Sequence, residues 1–181
     1  MPIMIDQGSA KEFIPCPSGT HQAVCVDVVD LGSMPTNFGP KRKVKIVWQI
    51  NEPMENGNRF SVQSRYTASL NEKATLRRDL EAWRGRPFSE EELKGFDIEK
   101  LLGANCLLSV VHVEKGDQVY ANVKSIAPLM KGMPKIAPEN FTRAQDRPQN
   151  GKPNGATTTQ HEREPGEDDF GADDLNLPAE F

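Results

Sequence analysis

Long apolar runs, paired cysteines and aromatic residues are all scarce in this chain of 181 residues. No apolar stretch is long enough to span a bilayer, and the N-terminus lacks a basic segment followed by an apolar one, so we expect neither a membrane anchor nor a secretory signal. The three cysteines are odd in number and lack a paired spacing. That pattern favours a reducing compartment over a disulfide framework, and we expect the cytoplasm.

The sequence also lacks a catalytic or metal-binding pattern. Cys16, His21 and Cys25 match no zinc spacing, and no fourth ligand lies near them. The acidic run Glu90–Glu92 is accompanied by no lysine-linked acid pair and no histidine nucleophile. We therefore expect a protein that is not an enzyme and that holds no metal or cofactor.

Charge is distributed unevenly along the chain. Residues 1–145 carry 19 Lys and Arg against 17 Asp and Glu, whereas residues 146–181 carry 3 against 9. The pI of about 5.5 therefore reflects the C-terminal end of the sequence. The remainder is mildly basic, which is compatible with a polyanionic partner.

Two neighbouring segments, residues 41–50 and 59–66, alternate between apolar and polar residues with the period of a half-buried strand. Their predicted inner faces carry Val44, Ile46, Trp48, Ile50, Phe60 and Val62. Their outer faces carry cations and hydrogen-bonding side chains. Such a surface is suited to a polyanion rather than to a small apolar ligand.

The candidate nucleic-acid site follows from this alternation. Its predicted cations are Lys41, Lys43, Lys45, Arg59 and Arg65. Its predicted stacking platforms are Phe38, Tyr66 and Tyr120, because binding of single strands normally uses exposed aromatic faces. The alternative is an ordinary solvated sheet surface, and a shift of register by one residue would exchange the inward and outward aromatics.

The order of the predicted elements indicates a mainly β fold. A first strand over residues 20–31, with Val24, Val26 and Val28 on one face, precedes the two basic strands. Helical spacing over residues 71–83, with Asn71 as the candidate cap, and two shorter helices come next, and strands over 105–114 and 118–126 end the domain. Three strands, helices and two strands are the order of a five-stranded Greek-key barrel, the oligonucleotide/oligosaccharide-binding (OB) fold.

Domain boundaries follow from composition. Residues 1–17 are a predicted leader and residues 18–130 the OB-fold domain, whereas residues 131–166, rich in Pro, Gly, Asn and Gln, are a predicted disordered linker. Residues 167–181 form an acidic tip that is expected to bind partner proteins. Its candidate contact residues are Asp168, Asp169, Asp173, Asp174, Leu175, Leu177 and Phe181.

Two features resemble single-stranded DNA-binding proteins encoded by bacteriophages and prophages. One is the body, above all the run from Ala68 to Phe88, and the other is the acidic ending on Phe181, which is similar to the tails of bacterial single-strand binding proteins. The tip departs from the bacterial pattern because Ala179 and Glu180 separate Pro178 from Phe181. The resemblance implies a protein of the host cytoplasm that coats single-stranded DNA during replication or recombination and recruits proteins of those processes. The alternative is an adaptor whose barrel binds protein and whose tail mimics the charge of DNA.

Overall fold

The computed structural model describes residues 14–147, which form five strands, two α-helices and two short 3-10 helices. The strands are β1 (Gly19–Thr36), β2 (Gly39–Pro53), β3 (Arg59–Thr67), β4 (Asn105–Lys115) and β5 (Gln118–Pro128). The helices are α1 (Thr75–Arg84), α2 (Glu90–Lys94) and the 3-10 turns Ile98–Leu101 and Ala144–Asp146.

All five strands belong to one antiparallel sheet in the order β3-β2-β1-β4-β5. The expectation of a mainly β fold is confirmed. The edge strands β3 and β5 contact each other and α1 packs against both, but no backbone ladder joins them within residues 14–147. The sheet is therefore barrel-like without being closed.

The predicted register of β2 and β3 is confirmed. Val44, Ile46, Trp48 and Ile50 are all buried in the main core, together with Phe60 and Val62 of β3. Trp48 lies 5.9 Å from Trp83 of α1, measured between ring centroids. The helix thus covers the inner face of the sheet, as the helical spacing of Leu76, Leu80 and Trp83 predicts.

The predicted sharing of one face by Val24, Val26 and Val28 is wrong. The pairing of β1 with β2 shifts between Cys25 and Asp27, where a β-bulge inserts one residue. Val28 lies in the main core, whereas Val24 and Val26 lie in a second apolar cluster with Val47. The bulge therefore changes which residues of β1 face outward.

Local signals locate the helices with unequal accuracy. Ser89 and Glu92 form the reciprocal capping box that their spacing predicts at the start of α2. The predicted cap Asn71 does not cap α1. The capping position is Ala74, which makes no side-chain bond, and the Asn71 side chain accepts a bond from the Lys73 backbone N–H in the turn before it.

Residues 134–147, which we call the strap, lie across the outer face of the sheet. Ile136 and Phe141 pack against the second apolar cluster of Val24, Val26 and Val47. The predicted disordered linker, 131–166, is therefore wrong at its start. Composition alone misses the strap because its apolar partners lie about 90 to 115 residues earlier in the sequence.

The remaining boundary predictions fall partly outside the described residues. The structure does not describe residues 1–13 of the predicted leader. It also does not describe residues 148–181, which include the rest of the linker and the acidic tip. The end of the leader is held to the domain, since Cys16 is buried and the backbone oxygens of Cys16 and Pro17 bond to ring nitrogens of His112 and His21. Among residues 14–147 there is no helix with the length and apolar character needed to cross a membrane.

Candidate nucleic-acid interface

Four predicted cations share the half of the outer face nearest the β1–β2 turn, and we call them the basic strip: Lys41, Lys43, Lys45 and Arg65. Lys45 is directly opposite Arg65 in the ladder between β2 and β3. Like charges in directly opposed positions repel each other, and an anion between them relieves that repulsion. The strip is thus a place where the sheet favours negative charge.

Lys43 departs from its predicted exposure. It is only 5% exposed, and its ammonium donates to the Thr67 hydroxyl over 2.8 Å. In the ladders it lies between Gly32 of β1 and Thr67 of β3. Because a buried charge must be hydrogen-bonded, Lys43 lies along the sheet and adds positive potential from below, while Lys41 and Lys45, both half-buried, are more accessible.

Arg59 is at the other end of β3, and the structure separates it from the basic strip. Its guanidinium donates to the Ala137 backbone oxygen over 2.9 Å and forms an ion pair with Glu139 at 3.1 Å. Six residues of strand between Arg59 and Arg65 correspond to roughly 20 Å. Arg59 is therefore a strap contact in this structure.

The three predicted stacking aromatics have three different environments. Phe38 is 58% exposed at the turn between β1 and β2, with the Lys41 ammonium 5.4 Å from its ring centre. Tyr120 is half-buried on β5 and donates to the Gln118 side chain. Phe38 is the only one of the three that both is exposed and adjoins the basic strip.

The prediction that Tyr66 is a platform is wrong. Tyr66 is 1% exposed, and its hydroxyl donates to the Asp79 carboxylate of α1 over 3.1 Å. The alternation that directs Phe60 and Val62 inward also directs Tyr66 inward, so the sequence contained the signal.

The β1–β2 hairpin extends beyond the rest of the sheet as a two-stranded ribbon that ends at Phe38. On its flank, Arg42 donates to the Asp30 carboxylate, from Nε to both oxygens at 3.3 and 3.1 Å and from Nη2 at 2.5 Å. These bonds lower the pKa of the Asp30 carboxyl below its usual value. Arg42 is thus engaged within the ribbon, which leaves Lys41 as the cation nearest the exposed ring.

The sequence did not predict the polar side chains that bond to the strap on the half of the outer face that it covers. The Gln49 amide donates to the Glu139 backbone oxygen and accepts from its N–H, at 2.5 and 2.9 Å. The Asn105 amide makes the same pair with Ile136, at 2.9 and 2.8 Å. Alternation places Gln49 outward, but only the fold brings Asn105 of β4 beside it.

The cysteines form no obvious reactive site. All three are free and buried, and burial raises the pKa of the Cys16 and Cys25 thiols to about 12 and that of Cys106 further. Among residues 14–147 no group of three or more His, Cys, Asp or Glu side chains could hold a metal ion.

The chain was also compared with known proteins. It matches no protein-family model, and the curated proteins contain no significant match to it.

Proposed function

We propose that this protein binds single-stranded DNA across the outer face of β1, β2 and β3, in the manner of the proteins that phages encode for replication or recombination. The observation that carries the proposal is the basic strip, with Lys45 opposite Arg65, ending at the exposed ring of Phe38. Cations arranged along a sheet beside an exposed aromatic face are the two components of sequence-tolerant single-strand binding.

The strand order supports an OB fold for this role. An OB barrel has the order β3-β2-β1-β4-β5, with β3 meeting β5 and a helix between β3 and β4. Here the edge strands β3 and β5 contact each other and α1 packs against both. In that fold single strands cross the face of β2 and β3, where the basic strip lies.

The mechanism is coating, without chemistry. Phosphates contact Lys41, Lys45 and Arg65, Lys43 contributes potential from beneath, and one base stacks on Phe38. Phosphate contacts fix the strand irrespective of its sequence. A strand held in this way cannot pair with itself, which keeps it available to other proteins.

Those other proteins would be recruited by the acidic C-terminal tip, residues 167–181. Its aliphatic and aromatic side chains provide anchors among carboxylates, the chemistry of a short peptide that docks in a basic groove on a partner. The second candidate function, an adaptor that binds protein through its sheet, is favoured by the strap, since this face already holds one extended peptide segment.

The test is a binding titration of the full chain with labelled single-stranded and double-stranded oligonucleotides, in magnesium, across a salt series. The double variant Lys45→Ala/Arg65→Ala should bind single strands more weakly. Its slope of log affinity against log salt should be less negative by about 1.4, because two phosphate contacts are lost. The matched control, Lys94→Ala/Lys100→Ala, removes two exposed lysines of the helical segment and should change neither quantity. Cleavage of the oligonucleotide would indicate a nuclease, and absence of binding would favour the adaptor.

A further inference from the structure

We propose that residues 134–141 of the strap are a displaceable cover, and that Gln49, Asn105 and Arg59 beneath it form a second base-binding stretch of the same face. This inference rests on the proposed function and extends it. Its ligand is single-stranded nucleic acid whose bases present a donor beside an acceptor, as adenine does.

The first support is the chemistry of the two carboxamides. Gln49 and Asn105 each donate to a backbone oxygen and accept from the N–H of the same residue, Glu139 and Ile136 respectively. A carboxamide pairs with the N6 amino group and N7 of adenine through the same one donor and one acceptor. The strap therefore satisfies these side chains with the hydrogen-bonding pattern that a base edge would offer.

The second support is their placement in one row across the sheet. Val24 is opposite Gln49 on one side and opposite Asn105 on the other. Two strand spacings separate the carboxamides by roughly 10 Å, which gives each room for its own base. Arg59, on the neighbouring strand, now bonds to the Ala137 oxygen and to Glu139, and it could contact a phosphate instead.

A buried amide provides the third support. Gln63 is 1% exposed, and neither its oxygen nor its nitrogen has a hydrogen-bond partner within residues 14–147. It is opposite Val47, which is part of the apolar cluster that the strap covers. A buried polar group without partners is costly. In the covered state the Gln63 amide has this cost, and a base that entered after the cover moved would offer it hydrogen-bond partners.

The strap is built so that this part can lift while its end stays in place. Most of residues 134–141 are exposed, with only Ile136 and Phe141 half-buried, and the turn before them contains Gly132 at a φ of +86°. Arg143, by contrast, is held by the buried Asp27. If that pair persists, lifting the cover exposes the amides, a cation and the apolar cluster of Val24, Val26 and Val47, onto which the faces of bases would pack. The Asp27 carboxylate would not turn toward phosphates.

The test measures backbone amide exchange by NMR in the full chain, alone and with an oligodeoxyadenylate of about 20 nucleotides. The amides of Ile136 and Glu139 bond to Asn105 and Gln49, so we expect their exchange to accelerate several-fold on binding. The amide of Ala144, which bonds to Asp27, should not change. An abasic sugar-phosphate strand of the same length should bind the basic strip and leave all three unchanged.

Two other outcomes would overturn the inference in different ways. If oligodeoxyadenylate shifts the resonances of Lys45 and Arg65 but does not accelerate exchange at Ile136 and Glu139, the cover is fixed and the proposed function stands. If no resonance of the sheet responds to either strand, the proposed function fails as well.

A variant provides an independent readout. Ile136→Ala/Phe141→Ala weakens the contacts of the cover with the sheet, and we expect the folded variant to bind oligodeoxyadenylate several-fold more tightly, because less of the protein is in the covered state. The control Thr142→Ala changes an exposed strap side chain and should bind as the parent does. Equal or weaker binding by the folded double variant would contradict a displaceable cover.

Discussion

Arg143 of the strap donates from Nε to the carboxylate of Asp27 at 3.1 Å, and the Asp27 side chain is only 3% exposed. The same carboxylate accepts the backbone N–H groups of Ala144 and Val28, at 2.7 and 2.9 Å. A second bond joins Arg143 to Glu99. The strap is therefore fixed at this end by an ion pair to a buried carboxylate.

Removing Arg143 should destabilise the fold. Arg143→Ala leaves a buried carboxylate without its cation, and we expect the free energy of unfolding to fall by about 3 kcal/mol. Arg147→Ala is the control, since Arg147 is exposed and bonds to the Thr142 oxygen, and it should cost less than about 1 kcal/mol. Urea denaturation measures both, and similar losses in the two variants would contradict the anchoring role.

The domain should require the strap. A chain that ends at residue 130 uncovers Val24, Val26 and Val47, and burying each such side chain stabilises by about 1.5 kcal/mol or more. We expect it to be less stable than a chain ending at residue 147 by on the order of 5 kcal/mol, and to aggregate. Thermal unfolding of the two truncated chains provides the measurement, and equal midpoints would show that the strap is dispensable.

Glu92 should stabilise the helical segment in a pH-dependent way. Its carboxylate accepts the Ser89 N–H and bonds to Arg84 and Arg86, which lowers its pKa to about 2 from an ordinary 4.5. Since the folded-state pKa is the lower one, the contribution is present above about pH 4.5 and is lost as the pH falls toward 2.

We therefore expect Glu92→Gln to lower the thermal midpoint at pH 7 and to have little effect near pH 2. Glu91→Gln, an exposed neighbour in the same first turn, is the control and should have little effect at either pH. A deficit of Glu92→Gln that persists unchanged at pH 2 would mean that packing, not charge, is responsible.

The acidic tip should compete with DNA. A flexible chain as long as residues 146–181 has an r.m.s. reach of roughly 30–36 Å, which exceeds the radius of gyration of about 14 Å for a body of this size. Deleting residues 167–181 should tighten single-strand binding at low salt, with a gain that shrinks as salt screens the charge.

If the tip recruits partner proteins as proposed, the same deletion should abolish their capture in a pull-down from cell lysate. Changing Leu175, Leu177 and Phe181 together to serine keeps the charge, so that variant should lose partners and retain the competition. If the deletion alters neither affinity nor partners, the tip has neither role.

The alternation of apolar and polar residues was sufficient to predict which side chains of β2 are buried on the inner face of the sheet. Val44, Ile46 and Trp48 are buried as predicted, because a strand directs alternate side chains to opposite faces whatever its neighbours are. It failed for the outer face, since Gln49 is 4% exposed and Val47 2% exposed. What covers those residues comes from a segment about 90 residues away.

The candidate site was predictable to the same extent. Lys45 lies opposite Arg65, and Phe38 lies beside Lys41 at the end of the basic strip, because pairing of adjacent strands follows from short connections. The bulge after Cys25 and the bonding of Asn105 to the strap depend on contacts across the assembled sheet, and no pattern within a single segment reports them.

β1 is the strand that both halves of the sheet share, and we expect its two pairings to form at different rates during folding. Its pairing with β2 joins neighbours in sequence, whereas its pairing with β4 joins Gly19 to Val110 across a long loop. Contacts of large sequence separation form slowly because loop closure opposes them. We expect the three-strand meander β1–β3 and the hairpin β4–β5 to form first and their union at β1 to limit the rate. The strap bonds to Gln49 on one side of that union and Asn105 on the other, so it can be fully bound only after the slow step is complete.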